Sequence, residues 1–139
     1  MGRGIILTAS QPLQVAGDTN YEKYRKRATA SIGVATIRRD GFVSMDAGEQ
    51  EGTLLTRAFL WPADRELHVN ADVSAGRLIV EVVNQTEQVL AKMRPMTGDF
   101  RDVKLEFDRE VTDRPSEKIQ LRFRLQSGKL YSFWLEQLH

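Results

Sequence analysis

Cysteine is absent from all 139 residues. That excludes a disulfide framework and any metal site built on thiolates. Histidine is almost as scarce: the two present, His68 and His139, lie far apart in the chain, so no set of imidazoles is grouped for zinc. No apolar run approaches the roughly 20 residues of a membrane-spanning helix. The N-terminal Ile5-Ile6-Leu7 is too short for the apolar centre of a signal peptide. Charge of one sign is also missing, since 20 basic residues stand against 19 acidic ones, for a net +1. The balance gives no global pull toward nucleic acid or an anionic membrane. There is no glycine-rich phosphate loop, nucleophile elbow, internal repeat or convincing amphipathic helix. A Ser-His-Asp triad could draw on His68, but no serine is placed to be its nucleophile.

What the sequence does contain is alternation. In Glu66-Leu67-His68-Val69-Asn70-Ala71-Asp72-Val73 the apolar residues point one way and the polar ones the other. The same two-residue period runs through Val103–Phe107 and Ile119–Gln126, and the apolar run Leu78–Val83 reads as a further strand, with turn residues between the runs. Ser31–Ile37 and Thr53–Leu60 read as further strands, the second closed by Trp61-Pro62. Such a chain is long enough to bury a core without covalent staples. Short strands at this density predict an all-β, antiparallel sandwich of jelly-roll type. Its expected core includes Leu67, Val69, Val80, Val82, Leu105, Phe107, Leu121, Phe123 and Trp134.

Residues 1–37 read as leftover strands with a basic loop, and residues 38–139 as the sandwich. Ser31–Ile37 is too apolar to stand alone and needs a partner, either Ile5–Thr8 or a second molecule. The basic run Tyr21-Glu22-Lys23-Tyr24-Arg25-Lys26-Arg27 reads as a solvated loop, because no nucleic-acid-binding fold signature supports it.

Several motifs occur in one order: Arg39-Asp40-Gly41-Phe42-Val43-Ser44, Val69-Asn70-Ala71-Asp72, Leu78–Val82, Leu121-Arg122-Phe123-Arg124-Leu125, and Lys129-Leu130-Tyr131-Ser132-Phe133. Over about residues 31 to 135 this order resembles the C-terminal jelly-roll module of bacterial β-propeller glycoside-hydrolase-like proteins. The resemblance implies that the segment before Arg39 is the remnant of a last propeller blade. It also implies a parent that is secreted or periplasmic, and catalytic carboxylates that belong to the propeller. No motif here matches those carboxylates, so the chain is expected not to be an enzyme by itself. Its expected role is accessory: carbohydrate binding, or support of a neighbouring catalytic domain. The alternative is a free-standing homodimeric interaction domain.

A glycosidase needs two carboxylates about 5 to 10 Å apart across the sugar, and no Asp or Glu here has a context that marks it. Asp40, Asp46 and Asp99 sit at glycine turns, where Asp is favoured by its local backbone hydrogen bonds. No cofactor is expected; a structural Ca2+ at Asp46, Glu49 and Glu51 is the nearest alternative. The candidate ligand face comes from the last hairpin. With Ser127-Gly128 as a two-residue turn, Arg124 faces Tyr131 and Arg122 faces Phe133, pairing guanidinium groups with rings. His68, Asn70 and Asp72 join the same polar side, and Trp61 is a second aromatic candidate. Rings would stack on pyranoses while the polar groups bond their hydroxyls.

Overall fold

The computed structural model describes the chain over residues 3–9, 31–111 and 116–138. The basic run Tyr21–Arg27 lies outside them. The chain divides into two compact units, Met1–Arg39 and Asp40–His139. In the first, β1 (Arg3–Ala9) pairs antiparallel with β2 (Ser31–Ile37), setting Ile6 opposite Val34. The expected strand pair is therefore formed, and each strand gives the other's backbone groups a partner.

The second unit holds β3 (Met45–Ala47), β4 (Gly52–Leu55), β5 (Phe59–Leu60), β6 (Arg65–Asp72), β7 (Arg77–Asn84), β8 (Val89–Lys92), β9 (Asp99–Lys104), β10 (Lys118–Gln126) and β11 (Gly128–Gln137). They form two antiparallel sheets, ordered β3-β11-β6-β9 and β4-β10-β7-β8, with β5 also beside β10. The chain changes sheet at every connection except β4 to β5 and β7 to β8, while each sheet interleaves early and late strands. That is the jelly roll the alternation predicts.

The core is the sum of the two inner faces. Leu67, Val69 and Ala71 of β6 meet Leu78, Val80 and Val82 of β7 and Leu121, Phe123 and Leu125 of β10, all buried. At one end Trp61 packs between Phe59 and Phe107, with ring centroids 6.3 and 6.4 Å away. Two tight corners close the other end. A side chain at Gly76 would meet the Gln126 carbonyl oxygen at 1.8 Å, and one at Gly128 would meet Val73 Cγ1 at 2.6 Å. The β6–β7 and β10–β11 turns thus pack at a distance only glycine permits.

Three expectations are corrected. Thr53–Leu60 is not one strand: it breaks at Thr56, whose N–H donates to the Leu121 carbonyl (2.9 Å) and whose Oγ1 accepts from the Leu121 N–H (2.9 Å). The β10–β11 connection is not an in-sheet hairpin. It carries the chain across the sandwich, with Ser127 at φ 45°, so β10 pairs with β4, β5 and β7 while β11 pairs with β3 and β6. Arg124 therefore lies opposite Ile79 and Thr53, not Tyr131, and Arg122 opposite Glu81 and Leu55, not Phe133.

Trp134 is not a core residue. A bulge at Tyr131 separates the pair Leu130–Ala71 from the pair Ser132–Asn70. The extra residue inverts the rest of the strand. Phe133 and Leu135, paired with Val69 and Leu67, now lie on the inner side, where the Phe133 ring lies 4.6 Å from that of Phe123 yet stays 38% exposed. Trp134, paired with His68, faces out.

Candidate functional site

The outer face of the β3-β11-β6-β9 sheet is where unusual side chains gather. Strict alternation along β6 buries Leu67, Val69 and Ala71 and sends Glu66 and His68 outward. On one side the Tyr131 bulge turns Trp134 and Glu136 onto that face. On the other, an irregularity between β6 and β9 places Lys104 opposite His68 and Phe100 opposite Ala71. Bulges are frequent beside functional sites because they re-aim side chains in this way. The result is a row, Trp134–His68–Lys104, running across three strands.

His68 is the hub. Its side chain keeps 14% of its exposure, and its Nδ1 lies 2.6 Å from Asp102 Oδ1 and 3.7 Å from Glu136 Oε2. Nε2 lies 3.2 Å from Glu66 Oε1, and Lys104 Nζ pairs with the other oxygen of Glu66. The indole of Trp134 stacks on the imidazole, with centroids 5.6 Å apart and planes inclined by 29°. Its N–H donates to Glu136 Oε2 at 3.2 Å. Burial by itself disfavours the imidazolium, yet the hydrogen bonds to Asp102 and Glu66 and the charge of Glu136 outweigh it, so His68 titrates above its ordinary range. The hydrogen bond from Lys104, with that from His68, holds Glu66 below the usual carboxylate range.

The outer face of the other sheet carries the arginines named as sequence candidates, and it closes on itself. Glu81 is 3% exposed. Arg122 Nε donates to its Oε2 at 2.7 Å, and Arg124 Nη1 and Lys92 Nζ reach its Oε1 at 3.4 Å. Arg124 Nε also donates to Glu51 at 2.7 Å, with Arg77 on the same carboxylate at 3.5 Å.

The structure thus scatters the expected ligand face. Arg122 and Arg124 lie on one sheet; His68, Asn70, Asp72, Tyr131 and Phe133 lie on the other. Within the second group Asn70 is fully buried, Asp72 accepts from the N–H and hydroxyl of Ser74, and Phe133 packs its ring on Phe123 while keeping 38% of its surface exposed. Trp61 is buried at 8% and donates its indole N–H to the Arg65 carbonyl. Of the sequence candidates, His68 alone lies at the hub. Trp134 was assigned to the core, and Asp102, Glu136, Glu66 and Lys104 were not singled out, although the three-residue step from Leu130 to Phe133 carries a trace of the bulge. The calcium candidates do not converge: Glu51 pairs with Arg124 and Arg77, and Asp46 with Ser44 and Lys129. Among the described residues, the group whose donor atoms come within 4.8 Å of one another is His68, Asp102 and Glu136.

Comparison of the chain with protein-family models, curated proteins and solved structures finds no match.

Proposed function

We propose that the sandwich is a non-catalytic carbohydrate-binding module whose ligand face is the outer surface of the β3-β11-β6-β9 sheet. The observation that carries this reading is the Trp134 indole, half-buried on an open sheet face and surrounded by exposed hydrogen-bonding groups. Asp102, Glu136 and Lys104 keep 45%, 42% and 50% of their side-chain exposure. A planar ring gives the apolar face of a pyranose a surface to cover, and the carboxylates and ammonium meet its hydroxyls. The propeller-module resemblance points the same way, with the platform moved from the arginine face to Trp134.

Affinity electrophoresis against a panel of soluble polysaccharides, run in chelator, tests the reading. The wild-type chain is expected to be retarded by at least one polysaccharide and Trp134→Ala by none. Unretarded migration of the wild type through every gel, or equal retardation of the variant, sinks it.

A second reading, association with another copy of the chain, is favoured by Phe42, Val43 and Met45, which expose 73%, 76% and 55% of their surface. Light scattering that gives a concentration-dependent mass supports it; a constant monomer mass removes it.

A further inference from the structure

The contact between His68 and Asp102 poses a question of charge. If Nε2 carries its proton toward Glu66 Oε1, 3.2 Å away, then Nδ1 presents a lone pair. That lone pair faces Asp102 Oδ1 at 2.6 Å and Glu136 Oε2 at 3.7 Å. Acceptors so close together repel unless something positive lies between them. The ring proton shared with Asp102 is one answer; a metal ion that displaces that proton is the other.

We propose that His68 Nδ1, Asp102 and Glu136 form a divalent transition-metal site, with zinc as its natural probe. The dimensions suit it. Ligand bonds of about 2.0–2.2 Å set donor atoms roughly 3.0–3.5 Å apart around a single ion. The observed separations bracket that range, at 2.6 and 3.7 Å with all three donor atoms within 4.8 Å of one another. Asp102 and Glu136 are more than two-fifths exposed, so modest rotation of their carboxylates closes the difference. The imidazole sits on a regular strand, fixed by the Trp134 ring on its face and by Glu66 on its far nitrogen. A carboxylate on the second nitrogen of a ligating histidine orients the ring and raises its basicity. One nitrogen among the donors favours zinc and its first-row neighbours over calcium and magnesium, which prefer oxygen alone. Three protein ligands leave at least one position open, the arrangement of an accessible site rather than a closed structural one.

This inference stands apart from the sugar reading, since the ion needs neither a glycan nor a free ring face. The chelator in the polysaccharide gels and the absence of sugar in the metal titration keep the two failures separate.

The test is calorimetric titration of zinc into the chelator-stripped full chain, repeated with His68→Gln and Asp102→Asn. Asp102 is exposed on an outer face, so Asp102→Asn keeps the fold even if His68→Gln disturbs it. One equivalent of zinc per chain at micromolar concentration is expected, weakened at least about 10-fold by loss of either ligand. Failure of the wild type to bind at that concentration, or unchanged affinity in Asp102→Asn, overturns the assignment. Displacement of zinc by an equal concentration of calcium overturns it as well, because the imidazole would then have no part in the site.

Discussion

On the outer face of the β4-β10-β7-β8 sheet, the Glu81 side chain keeps 4% of its exposure and meets Arg122, Arg124 and Lys92. On the outer face of the opposing sheet, the His68 side chain keeps 14% and is ringed by Asp102, Glu136 and Glu66, with Lys104 the cation beside them. In the first cluster a buried anion is held by surrounding cations. Arg122 Nε and Arg124 Nη1 reach Glu81 and Arg124 Nε reaches Glu51, which ties both planar heads down on the sheet. The second cluster gathers acceptors around a titratable ring and leaves two carboxylates and an indole in reach of solvent. Both faces ride on the same core, and both look polar in the sequence. What separates them is whether the charges close locally, which makes one face a fastening and leaves exposed carboxylates and an indole on the other.

The change with the largest expected effect breaks both faces together. Phe123 is 1% exposed and touches the Phe133 ring across the sandwich, so Phe123→Ala should cost about 3–5 kcal/mol in urea unfolding. A loss under about 1 kcal/mol, the ordinary cost of a surface change, would mean that the sheets do not depend on this contact.

Next in size is the fastening itself. Glu81→Ala leaves Arg122 and Arg124 without their shared partner and should cost roughly 1–3 kcal/mol, toward the lower end because both arginines are partly exposed. The same residue predicts a pH dependence. Burial raises the Glu81 carboxyl, but its hydrogen bond and charge pairing with Arg122 and Lys92 outweigh this and hold it below its ordinary range. Its contribution to stability is therefore full above the unfolded value, near pH 4.3, and is lost as pH falls through the lower folded value. Urea midpoints compared at pH 7 and pH 3 should show a smaller acid loss in Glu81→Gln than in the wild type. An equal loss would mean that Glu81 is not the group being protonated.

The smallest effect is expected on the opposite face. Asp102→Asn should change stability by no more than about 0.5 kcal/mol, as exposed substitutions generally do. A loss as large as that of Glu81→Ala would erase the distinction between fastening and binding surface.

The sandwich was legible because alternation is a local signal. Leu67-Val69-Ala71 and Leu121-Phe123-Leu125 could bury only one side of their strands, and that side is the core. The pairing of strands was not legible, because Ser127-Gly128 suits an in-sheet hairpin as well as a corner between sheets. The site was lost at one residue. Without the bulge at Tyr131, Trp134 follows Leu130 inward and Phe133 turns out; with it, the two exchange faces. Asp102 was hidden for a related reason, since the irregularity opposite β6 brings it to His68 across 34 positions of chain. Polar residues on β6 announced a face, but the sequence held no sign of which neighbouring strands would furnish it.

The most direct test sets the two faces against each other with one ligand. Using any polysaccharide that retards the wild-type chain, calorimetric affinities are measured for Trp134→Ala and for Arg124→Ala. The account predicts that binding is lost in Trp134→Ala and stays at the wild-type level in Arg124→Ala. Binding retained by Trp134→Ala and lost by Arg124→Ala would contradict it and return the ligand to the arginine face.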